Sequence, residues 1–302
     1  MSIMRARCSR NALKAGCSKE GLVLSIIFIY RLSVRTTLKQ SLMSMLAWIF
    51  GISFWIFASG KDTMVSDSTL LALCEGLRVA DVVDAMDMVG LRNVGLMDPR
   101  IQPLWRDLED FRHHFCGLAL TVRYVPTNKV VPNPIPETEF EAWSSRWYNE
   151  LSPEPFVDLI RPGTVIVIDA SGNGDTGSIG SYNSLVWYAR GARGIVTTGS
   201  VRDTDEIIKQ RIPLYLDPLQ RGRGIRPGRN EIESVNRPIE IGGALVRPGD
   251  VIVADGDGVV VVPREYAVWV FQLARRILEA DKQGRRQLYQ QLGLPLDKTV
   301  QE

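Results

Sequence analysis

TVIVID (residues 164–169), SGNGDTGSIG (171–180), YNSLVWYAR (182–190) and GIVTTGSVRD (194–203) follow one another almost without interruption. The first is a β-branched run entered from the turn Arg161-Pro162-Gly163 and ended by Asp169. The third has the composition of a helix closed by Gly191, and the fourth opens on a second short strand, 194–198. Strand, loop, helix and strand in this order predict a βαβ unit with parallel strands and a right-handed crossover. Ligands of open α/β sheets gather beyond the carboxyl ends of such strands. Arg202-Asp203 stands at that position. A guanidinium can fork onto an anionic substrate and a carboxylate can hold a cation; a plain surface ion pair is the competing reading of the same two residues.

The loop between the strands matches G-x-G-x-x-G at Gly172, Gly174 and Gly177, which after a strand and before a helix suggests a dinucleotide site. It then continues through Ser178-Ile179-Gly180, too long for the tight fingerprint turn, and the chain beyond runs into short strands rather than further βαβ units. Free N–H groups at a helix N-terminus bind any small anion, a carboxylate included. That reading is preferred, and a nicotinamide oxidoreductase rests on the glycine loop alone.

Outward from this centre, residues 66–88 have helical spacing with Ser66 or Asp67 as N-cap. Residues 117–124 alternate like a strand, 130–136 with three prolines form a loop, and 137–151 with Trp143 and Trp147 form a helix. The stretch near 128–158 reads as an insertion. Downstream, 204–210 is a short helix and 212–216 a strand. A basic loop, 220–229, carries Arg221, Arg223, Arg226 and Arg229. No aromatic residues interleave it, so it reads as a solvated or intersubunit loop rather than a nucleic-acid surface. Strands are expected at 239–241, 244–246, 251–254 and 259–262, and the Asp255-Gly256-Asp257-Gly258 cluster lacks the glutamate of a calcium loop, which leaves tight turns. An amphipathic helix, 264–282, leads into a tail, 286–302, expected to be peripheral.

The chain has 302 residues, 45% hydrophobic and 23% charged, with a net charge of +2. That is ordinary globular composition, with no global field pointing to nucleic acid or acidic partners. The first forty residues are basic, from Arg5 to Lys39, and Leu42 to Ala58 is an uncharged apolar run followed by Lys61-Asp62. Residues 1–63 are therefore a leader: a signal, a membrane anchor through residues 40–60, or an extension upstream of a domain starting at Met64. The globular part, 64–285, is expected in the cytoplasm unless the leader anchors or exports it. Cys8, Cys17, Cys74 and Cys116 lack metal or redox spacing and are expected as reduced thiols. His113 and His114 are the only histidines and are adjacent. Neighbours on a strand face opposite ways, so a histidine-based triad or a histidine-rich zinc site is not expected, and the chemistry is expected to rest on carboxylates, arginines and backbone.

Taken together, the pieces resemble the RraA-like family, which includes the 4-hydroxy-4-methyl-2-oxoglutarate aldolases. They are Asp84-Ala85, GLALTVR (117–123), Pro162-Gly163 before the strand ending at Asp169, Gly180, GARGIV (191–196), GSVRD (199–203), VRPGD (246–250) and DGDGVVVVP (255–263). The resemblance covers about Ser66 to Ile277, without the leader, the insertion or the tail. It implies an α/β fold, the swivelling β/β/α domain, assembled as a homotrimer or a hexamer of two trimers with sites between subunits. It implies release of pyruvate from a hydroxylated oxo-acid, or decarboxylation of oxaloacetate, with Mg2+ or Mn2+ and no Schiff base. By the same resemblance Arg202 grips the pyruvate moiety, Asp203 binds the metal, and the backbone of Gly180, Ser181, Tyr182 and Asn183 holds the substrate carboxylate. Asp175, Asp205 and Glu206 are candidates for holding metal-bound water. Ser181 departs from the family pattern, where many members have an acid. Some members are instead non-catalytic regulators that bind a ribonuclease, and that is the alternative reading.

Overall fold

TVIVID becomes β3 (Thr164–Asp169), and all six of its residues are buried, as a β-branched run covered on both faces must be. The computed structural model describes residues 65–219 and 222–301; the expected leader lies outside them. In the main sheet β3 joins β1 (Gln102–Pro103), β2 (Phe115–Pro126), β4 (Ala192–Thr197), β5 (Leu214–Leu216), β6 (Asn230–Val235), β9 (Val251–Asp255) and β10 (Gly258–Val262). The order is β1-β5-β4-β3-β2-β9-β10, with β6 also on β2. Strands β2 to β5 are mutually parallel, while β1, β6, β9 and β10 pair antiparallel.

The two edges are joined by one segment. Val261 N–H donates to Gly95 O (2.8 Å), Met97 N–H donates to Val259 O (3.1 Å), and Leu104 N–H donates to Leu214 O (2.8 Å). A nearly closed, barrel-like sheet results, leaving little edge for another chain to add to.

Alternation along β3 sorts the layers. Val165 and Val167 face inward, in one cluster with Ile239, Ile241, Ala244 and Val246 of the hairpin β7 (Ile239–Ile241)–β8 (Ala244–Val246). Ile166 and Ile168 face outward, with Trp187 of α4 (Ser181–Ala189) and Ile207 of α5 (Thr204–Lys209). A third cluster sets α1 (Asp67–Cys74), α2 (Val79–Met88) and α6 (Ala267–Leu292) on Val251, Val253, Val260 and Val262. Hairpin, sheet and helices make the expected β/β/α arrangement. The stretch expected as an insertion, 128–158, contains α3 (Glu137–Glu150) and the start of a 3-10 turn, Pro155–Leu159.

Some expectations change. Residues 66–88 are two helices, because Gly76 at φ 69° turns the chain after α1, the role glycine takes beyond a helix end. Ser66 caps the first, accepting from Thr69 N–H. The turn brings Cys74 against Cys116 on β2, and the two form a disulfide across 42 residues of sequence; for this pair the expected free thiols are corrected. Helix α6 passes the expected end at Lys282 and stops at Leu292, before Gly293 at φ 66°. The tail folds back on it: Arg285 donates to the Thr299 carbonyl, and Val300 is buried. Among the described residues no helix is long and apolar enough to cross a membrane.

Candidate functional site

The parallel strands β3 and β4 end side by side, and the segments leaving them meet again. Ile179 and Val201 form a parallel bridge, and Arg202 N–H donates to Ile179 O (2.9 Å). The glycine-rich loop is thereby stitched beside Arg202-Asp203. Thr176 and Gly224 form a second bridge, which brings the basic loop over the same place.

Asp203 adopts the left-handed conformation, φ 55°, which aspartate tolerates better than most residues. Its carboxylate turns back onto α4: Ser181 N–H donates to Oδ2 (3.2 Å), and the Ser181 hydroxyl lies 3.5 Å from the same oxygen. The anion expected at this helix N-terminus is thus, in part, the protein's own. Asp203 is exposed, and Oδ1 receives no hydrogen bond from the described residues.

Arg202 is arranged differently. Its Nε is buried and has no hydrogen-bond partner among the described residues, a costly condition for a charged donor unless a ligand completes it. Glycines make room for its stem. A Cβ on Gly177 would sit 2.6 Å from Arg202 Cδ, and one on Gly180 would sit 2.7 Å from Asp203 Oδ2. Within the G-x-G-x-x-G pattern this close approach accounts for Gly177, whereas Gly172 and Gly174 take left-handed backbone, φ 79° and 58°.

The other expected residues divide. Gly180 and Ser181 are at the pair. Tyr182 is 78% exposed, and the Asn183 amide donates to Glu154 Oε1 (2.6 Å), so their side chains are turned elsewhere; first-turn N–H groups of a helix still lack intrahelical partners. Asp175 is held by Arg223, accepting from its backbone N–H (2.8 Å) and pairing with its guanidinium (3.4 Å). Those contacts keep its carboxyl below the usual range. Asp205 and Glu206 are exposed on α5, with no side-chain bond to Arg202 or Asp203. Among the described residues no group of three His, Cys, Asp or Glu side chains converges to hold a metal.

A wider polar network frames the pair, and sequence reasoning did not find it. Glu154, between α3 and the 3-10 turn, pairs with Arg226 (2.7 Å) and accepts from Trp187 Nε1 (3.1 Å) as well as from Asn183. Asn230 O accepts from Trp147 Nε1, Asn230 Oδ1 accepts from Ser152 Oγ, and Asn230 Nδ2 donates to Ser178 Oγ. The available signal was a carboxylate fixed between two prolines, Pro153-Glu154-Pro155. Asn173 is also buried, with both side-chain polar atoms unpartnered among the described residues. A cleft of about 680 Å³ lies at the opposite end of β2, lined by Cys116, His113, Arg106 and Lys282 among others, and takes no part in this site.

The family profile RraA-like (Aldolase/RraA) matches residues 79–261. A 4-hydroxy-4-methyl-2-oxoglutarate aldolase of Thermus thermophilus is 29% identical over 101 residues, 33% of this chain and 60% of that protein. Protein DlpA of Legionella pneumophila is 26% identical over 210 residues, 68% of this chain and 30% of its own length. This chain therefore spans less than two thirds of the length of either relative. Among solved structures, an uncharacterized protein from Pseudomonas syringae pv. tomato aligns over 78% of this chain and 98% of its own, with TM-score 0.56 and 26% identity. Streptomyces coelicolor RraAS2, described as an unusual member of the RNase ES inhibitor RraA protein family, shares the fold at 23% identity and TM-score 0.55, over 74% of this chain and 100% of its own. With the profile covering the sheet, the glycine loop and Arg202-Asp203, the chain belongs to the RraA-like family.

Proposed function

We propose that this protein is a divalent-metal-dependent lyase that releases pyruvate from a hydroxylated oxo-acid, by retro-aldol cleavage or by decarboxylation of an oxaloacetate-type substrate. The observation that carries the reading is Arg202, whose buried Nε lacks a partner, beside the Asp203 carboxylate. An arginine fork suits a planar carboxylate, and the aldolase named among the relatives supports the substrate class.

The donor set fits magnesium or manganese rather than zinc. Asp203 offers one carboxylate without a histidine or thiolate near it, and magnesium keeps most of its waters and needs only one or two protein carboxylates. Bound there, the cation would supply electrophilic stabilisation of negative charge developing on the oxo-acid. In the retro-aldol direction the substrate hydroxyl loses its proton and the adjacent C–C bond breaks. Its electron pair stays with the pyruvate fragment, which then takes up a proton. Decarboxylation yields the same fragment with CO2 as the other product. Arg202 holds the carboxylate throughout, and the first turn of α4 offers N–H donors to the same end of the substrate.

The homotrimer or hexamer is proposed with it. Tyr182, Leu185 and Tyr188 leave an exposed apolar face on α4 beside the site, suited to a subunit boundary. Sedimentation velocity tests the assembly. The activity is tested by assaying hydroxylated oxo-acids and oxaloacetate for pyruvate, with and without EDTA. Metal-dependent release supports the reading, and its absence from every substrate overturns it. One observation favours a second reading, a non-catalytic regulator of a ribonuclease: Ser181 faces Asp203 where many members have an acid. Inhibition of a ribonuclease without pyruvate release would establish it.

A further inference from the structure

We infer that Glu154, contributed by the insertion and outside the stretches that carry the family resemblance, is a positioning residue for the Arg202-Asp203 site. The inference rests on the proposed function for its catalytic consequence and on geometry for its structural part.

Glu154 is the point at which the insertion meets both segments that enclose the pair. Its Oε1 accepts from Asn183 Nδ2 (2.6 Å) and pairs with Arg226 Nη2 (2.7 Å), while Oε2 accepts from Trp187 Nε1 (3.1 Å). Asn183 and Trp187 belong to α4, whose first N–H holds Asp203 Oδ2. Arg226 belongs to the basic loop, in which Gly224 O accepts from Gly177 N–H (2.7 Å), and Gly177 is the residue against which the Arg202 stem packs. One carboxylate therefore fixes both flanks of the site without touching it.

The pair is built into the fold. Side-chain exposure is 8% for Arg226 and 17% for Glu154. Arg226 also donates to Tyr124 Oη (3.2 Å) and lies over the Tyr124 and Tyr148 rings, 5.8 and 5.1 Å from their centroids. Removing one partner of such a buried pair leaves the other charge uncompensated. Arg226 must then move toward water and carry the 222–230 loop with it. Asn183 and Trp187 lose their acceptor at the same time, which loosens the first turns of α4. The Ser152–Asn230–Ser178 chain links the insertion separately to the glycine loop, so the sheet beneath stays intact.

The test compares wild-type protein with Glu154→Ala and Glu154→Gln by hydrogen–deuterium exchange and by pyruvate-release kinetics. Exchange is expected to rise in peptides covering 177–187 and 222–230 and to stay unchanged in β3 and α6. KM is expected to rise about tenfold in Glu154→Ala with a smaller change in kcat, and less in Glu154→Gln, since the loosened flanks misplace the carboxylate grip. Uniformly faster exchange, or none, overturns the inference. So does localised exchange with unaltered kinetics in an active wild type. If wild-type protein releases no pyruvate from any substrate, the proposed function fails on its own, and the exchange pattern alone decides whether Glu154 orders the two flanks.

Discussion

The backbone N–H of Ser181 donates to Oδ2 of Asp203 at 3.2 Å, so one carboxylate both caps α4 and stands beside the Arg202 guanidinium. Structure and chemistry are joined at that side chain, and substitutions can separate them. Asparagine keeps an acceptor oxygen and tolerates the left-handed backbone of position 203. Asp203→Asn is expected to melt within a degree or two of wild type while losing metal-dependent pyruvate release by about a hundredfold or more, as expected when electrophilic stabilisation is lost. Asp203→Ala is expected to lose the cap as well, worth about 1 kcal/mol. Thermal unfolding read beside the pyruvate assay checks both variants.

Gly177 and Gly174 lie in the same loop and should respond in opposite ways. A methyl at 177 meets Arg202 Cδ at 2.6 Å and Gly222 O at 2.9 Å, whereas one at 174 meets nothing within 4 Å. Gly177→Ala is expected to cost about 1–3 kcal/mol by overpacking and to lower kcat/KM about a hundredfold by displacing the guanidinium. Gly174→Ala, with φ at 58°, should cost about 1–2 kcal/mol for the left-handed backbone and leave kcat/KM within about threefold of wild type, the ordinary range for a substitution that does not touch the reacting groups. Equal losses of activity would contradict the assignment of the loop to Arg202.

The Cys74–Cys116 disulfide closes a span of 42 residues. For a loop of that size the constraint on the unfolded chain is worth about 3–4 kcal/mol. Reductant should lower the urea midpoint of wild-type protein by a corresponding amount and leave the Cys74→Ser/Cys116→Ser double variant unmoved. A midpoint indifferent to reductant in wild type would show that the cross-link adds nothing.

His113 supplies a pH dependence. Burial, helped by His114 and Arg106, lowers its pKa from 6.5 to about 4, and its Nδ1 accepts from Asp107 N–H (3.1 Å), a bond that protonation breaks. The folded protein keeps the ring neutral while the unfolded chain takes up a proton below about 6.5. The contribution to stability is therefore complete above pH 6.5 and declines as pH falls toward 4. His113→Asn, which keeps an acceptor but cannot titrate, should show a shallower fall in Tm over that window, by calorimetry at several pH values.

Much of this was legible from residue order because it depends on local pattern. The β-branched run 164–169, the turn at Pro162-Gly163 and the strand before Arg202 are short-range signals, and the βαβ unit they predict is the centre of the sheet. The parts missed depend on contacts between distant residues. Glu154 meets Arg226 across 72 positions (226 − 154), and Cys74 meets Cys116 with no spacing motif to announce the bond. Strand β6, with Glu231, Glu233 and Ser234, has too little apolar alternation to declare itself; it forms because β2 offers an open side. Among the site residues, Arg202 and Asp203 were accessible through their place at a strand end. The diversion of Asn183 to Glu154, and of Asp175 to Arg223, required the fold.

Strand β2 pairs with β9 along its first half, with β6 along its second, and with β3 on its other side. All three partners come later in the chain, the last ending at Asp255. A growing chain thus holds its central strand with unfilled hydrogen-bonding positions until more than half the protein has been made. Pairing at such separations is slow and leaves an exposed strand in the meantime. Chains truncated before Val251 should accordingly aggregate rather than fold in part.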